Sequence, residues 1–182
     1  MNRLRLCLGT MITAAVLLLC AGAMAEIRIN EVMASNGVYQ DGHAYDWAEL
    51  YNDGAEVSLA GWYLSNDPYQ PYKWAFPSGT KITENGYLIV YCAGEGKEPM
   101  TDALCTNFKL SADGDTLCLT SPGGESTVLS FVAQYGNVSY GLAGGEYRYL
   151  ESATPGSANP TLGFEQRAQQ PVIETAAGFY AN

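Results

Sequence analysis

Short alternating runs of hydrophobic and polar residues follow one another along most of the chain, separated by turn-forming residues. Alternation with a period of two is typical of half-buried strands. Turn signals recur between the runs, for example at 52–54 (NDG), 84–86 (ENG) and 113–115 (DGD). This spacing predicts an all-β fold, and no amphipathic helical pattern follows residue 25. The predicted strands are 27–34, 47–51, 59–65, 73–76, 87–91, 116–120 and 128–132, with a further one near 139–142.

The segments 46–54 and 58–65 dominate this pattern and are predicted to form a hairpin in one sheet. The first segment has one apolar face, and its other face carries Trp47 and Glu49. The second segment contains Trp62, whose burial is expected to stabilise the fold more than that of any other side chain, by roughly 1.5–3 kcal/mol. Glu49 is expected to accept hydrogen bonds from loop backbone and so to hold the turn at 30–36.

A core enclosed between two sheets is predicted to contain most of the large apolar side chains. The predicted core residues are Trp62, Leu64, Trp74, Phe76, Leu88, Val90, Phe108, Leu110, Leu117, Leu119 and Leu129.

Five sequence blocks occur in a fixed order along the chain: 29–36 (INEVMASN), 46–52 (DWAELYN), 59–65 (LAGWYLS), 106–111 (TNFKLS) and 154–159 (TPGSAN). In this order the blocks resemble bacterial lamin-tail domains. The resemblance covers about residues 26–160 and implies an immunoglobulin-like β-sandwich without catalytic residues. Within it, Trp47, Glu49, Trp62 and Phe108 are expected to have structural roles.

The N-terminus has the pattern of a secretory signal peptide. A basic head with Arg3 and Arg5 precedes an apolar run over 6–20 and a small-residue exit ending at Ala25. The run is shorter than the ~20 residues of a membrane span. Residues 1–25 are therefore predicted to be removed, which implies a secreted or cell-surface protein with no membrane segment after cleavage.

The net charge of the chain indicates which classes of binding partner to expect. The chain has nine basic and nineteen acidic side chains, a net charge of −10. Removal of Arg3 and Arg5 with the leader leaves seven basic residues against the same nineteen, a net charge of −12. An acidic field repels phosphate backbones and anionic lipid, so nucleic-acid binding is not expected.

The number of cysteines does not allow all of them to form disulfide bonds within the chain. Two of the five cysteines lie in the leader, and Cys92, Cys105 and Cys118 remain. An odd number cannot pair fully within one chain. Cys92 and Cys118 lie in apolar strands and are expected to be small core residues. Free thiols are the favoured state, with one disulfide as the alternative, and the spacings do not fit zinc.

The C-terminal residues change in character. After 160 a polar stretch at 166–170 (QRAQQ) is typical of a linker, and 171–180 resembles the opening strand of a further small β domain. Such domains follow lamin-tail modules in secreted proteins with a CotH-type kinase domain. Residues 161–182 are thus predicted to be a linker and a truncated second domain, and a disordered tail is the alternative.

Residues able to carry catalysis are scarce. The one histidine, His43, lies in a predicted loop, where solvation is the usual state, and no nucleophile elbow, metalloprotease or phosphate-loop motif occurs. The acidic residues near 46–53 and 113–115 match no calcium loop, and aspartate and glycine form turns without an ion. We therefore expect no enzymatic activity, no metal and no cofactor.

The loop 65–74 is the predicted contact surface. Tyr69, Tyr72 and Trp74 lie on it, and Pro71 stiffens its backbone, which lowers the entropy lost on binding. Such rings stack on sugars or anchor a protein partner. The favoured alternative is that the tyrosines only cover one end of the sandwich. Three hypotheses follow: a non-catalytic exported tethering module, a module that binds cell-surface polysaccharide, or an accessory domain of a secreted CotH-like kinase or nuclease.

Overall fold

The computed structural model describes residues 27–166, and over these residues the chain contains strands and no helix. The predicted all-β fold is confirmed. The strands are β1 (Ile27–Met33), β2 (Asp46–Asn52), β3 (Val57–Ser58), β4 (Tyr63–Ser65), β5 (Trp74–Ala75), β6 (Lys81–Ile82), β7 (Tyr87–Cys92), β8 (Leu104–Cys105), β9 (Asp115–Thr120), β10 (Ser126–Phe131), β11 (Tyr140–Ala143) and β12 (Glu146–Tyr149).

Two sheets form an immunoglobulin-like β-sandwich. The larger has the order β12-β11-β1-β2-β7-β8, and the smaller has the order β10-β9-β4-β5. Strands β3 and β6 form a separate pair. All neighbouring strands run antiparallel except β7 and β8, which are parallel. The predicted leader, the predicted second domain and the end of the predicted linker lie outside the described residues.

The core lies between the two sheets, and most of the predicted core is confirmed. Three of the predicted residues, Trp62, Trp74 and Leu88, are only partly buried and pack against the core from its margin. The remaining eight are buried: Leu64, Phe76, Val90, Phe108, Leu110, Leu117, Leu119 and Leu129.

The predicted hairpin is wrong. β2 belongs to the six-stranded sheet, whereas β4 pairs with β5 and β9 in the other sheet. Asn52 begins a turn, because its Oδ1 accepts from Gly54 N at 3.1 Å and its Nδ2 donates to the Ala55 and Thr83 carbonyls at 2.8 and 3.0 Å. The chain then forms β3, which pairs with β6, before it reaches β4 in the second sheet.

The predicted strand over 59–65 is shorter than expected, because a turn separates β3 from β4. Trp62 N donates to the Leu59 carbonyl at 3.0 Å, and Gly61 has a φ of +78°. Glycine adopts this left-handed conformation without a Cβ clash. The turn leaves Trp62 partly exposed, whereas Leu59 and Leu64 on either side of it are fully buried. Trp62 is therefore not the most buried anchor that the sequence predicted.

Candidate binding surfaces

The outer face of the six-stranded sheet carries a groove, which we call the sheet groove. Its floor follows from strand alternation: Ala48 and Leu50 of β2 point into the core, so Trp47 points outward. Strand register places Trp47 beside Met33 of β1 and Tyr91 of β7. The cavity has a volume of about 420 Å³, and its walls are formed by loop residues 36–43 together with Ala153 and Pro155.

Hydrogen bonds fix the loop that forms one wall of the sheet groove. Gln40 and His43 exchange backbone hydrogen bonds of 2.8 and 2.9 Å, which makes a tight turn. Tyr91 Oη donates to Gln40 Oε1 at 2.6 Å and ties this turn to β7. The tip remains available, since Tyr39 is 75% exposed. His43 stacks on Tyr45 with ring centroids 4.8 Å apart, so the lone histidine has a packing role in the wall.

The opposite wall belongs to a segment that we call the 154–159 strap. It crosses the outer face over two glutamates, Glu31 and Glu49, which face each other in the register of β1 and β2 and are fully buried. Thr154 donates from N and Oγ1 to Glu31, at 3.1 and 2.9 Å. Gly156 N donates to Glu49 Oε2 at 2.5 Å. The strap thus supplies the donors that two buried carboxylates require.

The prediction that Glu49 accepts a hydrogen bond from loop backbone is confirmed, but the loop is not the predicted one at 30–36. Glu49 accepts this bond from Gly156 in the strap, and its other oxygen accepts from Asn30 Nδ2 at 2.8 Å. Residues 30–33 belong to β1 and do not form part of a turn. Burial raises the pKa of Glu49 more than these hydrogen bonds lower it.

Asn159 closes the strap. Its Nδ2 donates to the Asn30 and Leu142 carbonyls, at 3.0 and 3.1 Å, so it joins β1 and β11. Its Oδ1 accepts from Asn30 Nδ2 at 3.1 Å and lies 2.9 Å from Thr154 Oγ1. Because these polar side chains find their partners inside the protein, the glutamates hold the wall of the sheet groove in place.

The predicted contact loop presents two of its three aromatic rings to solvent. Tyr69 is 94% exposed and Tyr72 is 57% exposed, with the Tyr72 ring edge-on to Tyr63 at 5.1 Å. Trp74 lies in β5, where it is partly buried and packs against Phe76 at 4.9 Å. The two tyrosines and the tryptophan therefore do not have equivalent surroundings.

The family comparison agrees with this architecture. A family model described as Lamin Tail Domain matches residues 21–138, well over half of the chain. The chain belongs to the lamin tail domain family. No curated protein matches it significantly. In this lamin tail domain, β11, β12 and the strap follow the matched residues, yet they complete the six-stranded sheet and cover its outer face.

The chain also continues in contact with the lamin tail domain beyond Pro160. Phe164 and Tyr149 exchange backbone hydrogen bonds of 2.8 and 3.0 Å. The predicted boundary at 160 and the predicted strand at 171–180 remain predictions, and the latter lies outside the described residues.

Three of the acidic residues that the sequence offers as candidate metal ligands each have a separate hydrogen-bond or ion-pair partner within this lamin tail domain. Asp46 Oδ1 accepts from Asn36 N at 3.2 Å, and burial raises the pKa of Asp46. Asp53 pairs with Arg28 at 3.2 Å, and Asp115 accepts from Ser111 N and Thr116 N. Within residues 27–166, no group of three or more potential protein ligands could hold a metal ion.

The sequence did not indicate the sheet groove. It predicts a structural role for Trp47 and a loop position for His43, and it does not bring the two into one cavity. The available signal was that β2 carries large side chains on both faces, which indicates a strand covered on both sides. In the described part of the chain, no helix has the length and apolarity needed to cross a membrane.

Proposed function

We propose that this lamin tail domain is a non-catalytic interaction module, exported by its N-terminal segment, that uses the sheet groove to hold a segment of a partner protein. The observation that carries the proposal is the composition of the sheet groove. Its floor is formed by Met33, Trp47, Ile89 and Tyr91, and the polar side chains of Asn36, Gln40 and His43 lie along its wall. Binding sites of this kind bury an apolar anchor and orient it with a few polar contacts.

Shape and charge favour a peptide over other ligand classes. The volume of about 420 Å³ fits one or two large side chains, and Gln40, whose Oε1 accepts from Tyr91, can donate from Nε2 to the backbone that carries them. The net charge of −10 disfavours nucleic acid and anionic lipid. On this proposal the domain positions whatever else a longer secreted protein contains, such as a kinase or nuclease domain.

A second candidate, binding of cell-surface polysaccharide, rests on the loop at 65–74. Tyr69 is the most exposed of the large hydrophobic side chains in the described residues. Its loop is held by Asp67, whose carboxylate accepts from Tyr69 N and Gln70 Nε2, both at 2.9 Å. A fixed exposed ring is suited to stacking on a sugar.

Two tyrosine variants separate the candidates. We expect peptides selected from a random display library on the wild-type chain to lose binding with Tyr39→Ala and to keep it with Tyr69→Ala. Each substitution should lower the free energy of unfolding by less than about 1 kcal/mol, because both rings are exposed.

The opposite pattern on a glycan array, loss with Tyr69→Ala and retention with Tyr39→Ala, would establish the polysaccharide function. Failure to select any peptide whose binding depends on Tyr39 would contradict the sheet groove as the site.

A further inference from the structure

Among the described residues, strand β10 (Ser126–Phe131) forms an unprotected sheet edge. It lies at the end of the order β10-β9-β4-β5, and β9 is its one neighbour in the described residues. All six of its residues pair with β9 in continuous register, without a bulge. It carries no charge and no proline, and Val128 is 51% exposed. Most natural edges are instead short, bulged, charged or covered, because an exposed edge recruits another strand.

The alternation of antiparallel pairing identifies the free backbone groups. Ser121 N donates to the Glu125 carbonyl at 2.8 Å, which makes that pair hydrogen-bonded. In an antiparallel ladder every second pair is of this kind, so residues 127, 129 and 131 bond to β9. The N–H and C=O groups of Ser126, Val128 and Ser130 therefore point away from the sheet.

We propose that β10 pairs antiparallel with β10 of a second copy of this chain, which joins the two four-stranded sheets into one. The arrangement of free groups is self-complementary. With Val128 on the two-fold axis, Ser126 lies opposite Ser130 of the second copy, and all three outward residues of each copy find a partner. The side chains brought together are small and uncharged, as a symmetric interface requires, because each residue must tolerate its own surface.

The acidic charge of the chain sets the salt dependence of this dimer. Two copies with a net charge of −10 repel each other. In the proposed register Glu125 lies opposite Phe131, and the two Glu125 residues are separated by about 20 Å along the strands. This exceeds the screening length of about 8 Å at physiological ionic strength, so the repulsion comes from the overall charge and is removed by salt. Dimerisation is therefore strengthened by salt, whereas capture of a basic peptide by this acidic protein would be weakened.

The interface is small, so the dimer is weak. Strand pairing through three residues buries less than the area of about 1,200–2,000 Å² that stable complexes use. Sedimentation velocity of the full chain over a wide concentration range is the suitable measurement. We expect a concentration-dependent monomer–dimer equilibrium whose dissociation constant falls as salt is raised from about 50 to about 500 mM.

A pair of double variants tests the register. S126K/S130K places like charges opposite each other across the two-fold axis and is expected to raise the dissociation constant about tenfold, although it reduces the net negative charge. S126K/S130E places opposite charges there and should dimerise as the wild type does or better. Both variants lose the same two hydroxyl contacts, to Thr120 and Thr116, so they should have similar melting temperatures.

Val128→Pro tests the backbone contribution. It removes an outward N–H without removing a bond to β9, and edge strands tolerate proline. Val128→Thr retains the N–H and is the matched control. We expect the proline variant to be monomeric and the threonine variant to dimerise. A monomeric wild type at all salt concentrations, a dimer unaffected by Val128→Pro and S126K/S130K, or equal dissociation of the two double variants would overturn the proposal.

Discussion

At the residue scale, Glu49 shows how this fold accommodates a buried carboxylate. An ionised carboxyl group loses its hydration when it is buried, and this cost must be offset by hydrogen bonds. Asn30 and Gly156 supply two, but Glu31 lies opposite on β1, and its charge also raises the pKa of Glu49. Burial is the larger effect, so the pKa of Glu49 lies above its ordinary value of 4.5.

Glu49→Gln should change both stability and its pH dependence. Because the native pKa is raised, the native state binds more protons than the unfolded chain above pH 4.5. The stabilising contribution of Glu49 is therefore complete below 4.5 and declines as pH rises through the native pKa. The variant places an amide N–H₂ near donors and should cost about 1–3 kcal/mol.

Urea unfolding between about pH 4 and 8 measures this effect. We expect the difference between wild type and Glu49→Gln to narrow as pH rises, and the exposed variant Glu84→Gln to run parallel to the wild type. Parallel curves for Glu49→Gln would show that burial does not raise the pKa of Glu49.

At the element scale, residues 57–65 contain two strands, although the sequence predicts a single strand over 59–65. Val57 and Leu59 lie at odd positions and Trp62 and Leu64 at even ones, so the alternation changes phase at Gly61, where the left-handed conformation separates β3 from β4. Strand β3 pairs with β6, and β4 pairs with β5 and β9. A periodic pattern reports which side chains are buried, and it does not report which strand lies alongside.

The turn at Gly61 predicts that Leu64 contributes more to the free energy of unfolding than Trp62 does. Leu64→Ala should cost about 3–5 kcal/mol, because the fully buried side chain leaves a cavity that the sheets cannot close. Trp62→Ala should cost less, about 1.5–3 kcal/mol, because part of the indole already contacts solvent. Equilibrium denaturation of the two variants measures the order. A larger loss for Trp62→Ala would show that the indole is the main anchor after all.

At the scale of the whole molecule, stability depends on packing and hydrogen bonding between the sheets and the strap. Cys92, Cys105 and Cys118 are free thiols, as the sequence favoured. Cys92 and Cys118 are buried, and burial raises the pKa of both thiols, which keeps them in the unreactive protonated form. The carboxylates at positions 46, 53 and 115 have protein partners.

Neither chelator nor reductant should therefore change the melting temperature. A bound ion would stabilise the folded state by mass action, and a disulfide would contribute about 2–4 kcal/mol. Calorimetry with EDTA, with a thiol reductant and with neither compares the three conditions. A fall with EDTA would reveal an ion site at the acidic residues, and a fall with reductant would reveal a bridge between two of the three cysteines.

The sequence by itself determined the all-β class, the position of every long strand and most of the core, because these depend on alternation and turn residues within a few positions of each other. Strands β3, β6, β8 and β12 were not predicted. The first three have only two residues each, too few to show a periodic pattern. Strand β12 was missed although the two glycines at 144–145, between it and β11, are a hairpin signal.

Only the tertiary structure decided the sheet to which each strand belongs, the partner of Glu49 and the existence of the sheet groove. Glu49 and Gly156 are 107 residues apart, and Glu31 and Thr154 are 123 apart. The floor of the groove comes from three strands, and its walls come from two distant loops. Local sequence patterns fix which residues are buried, but the surface that they form depends on pairings between segments that no local pattern encodes.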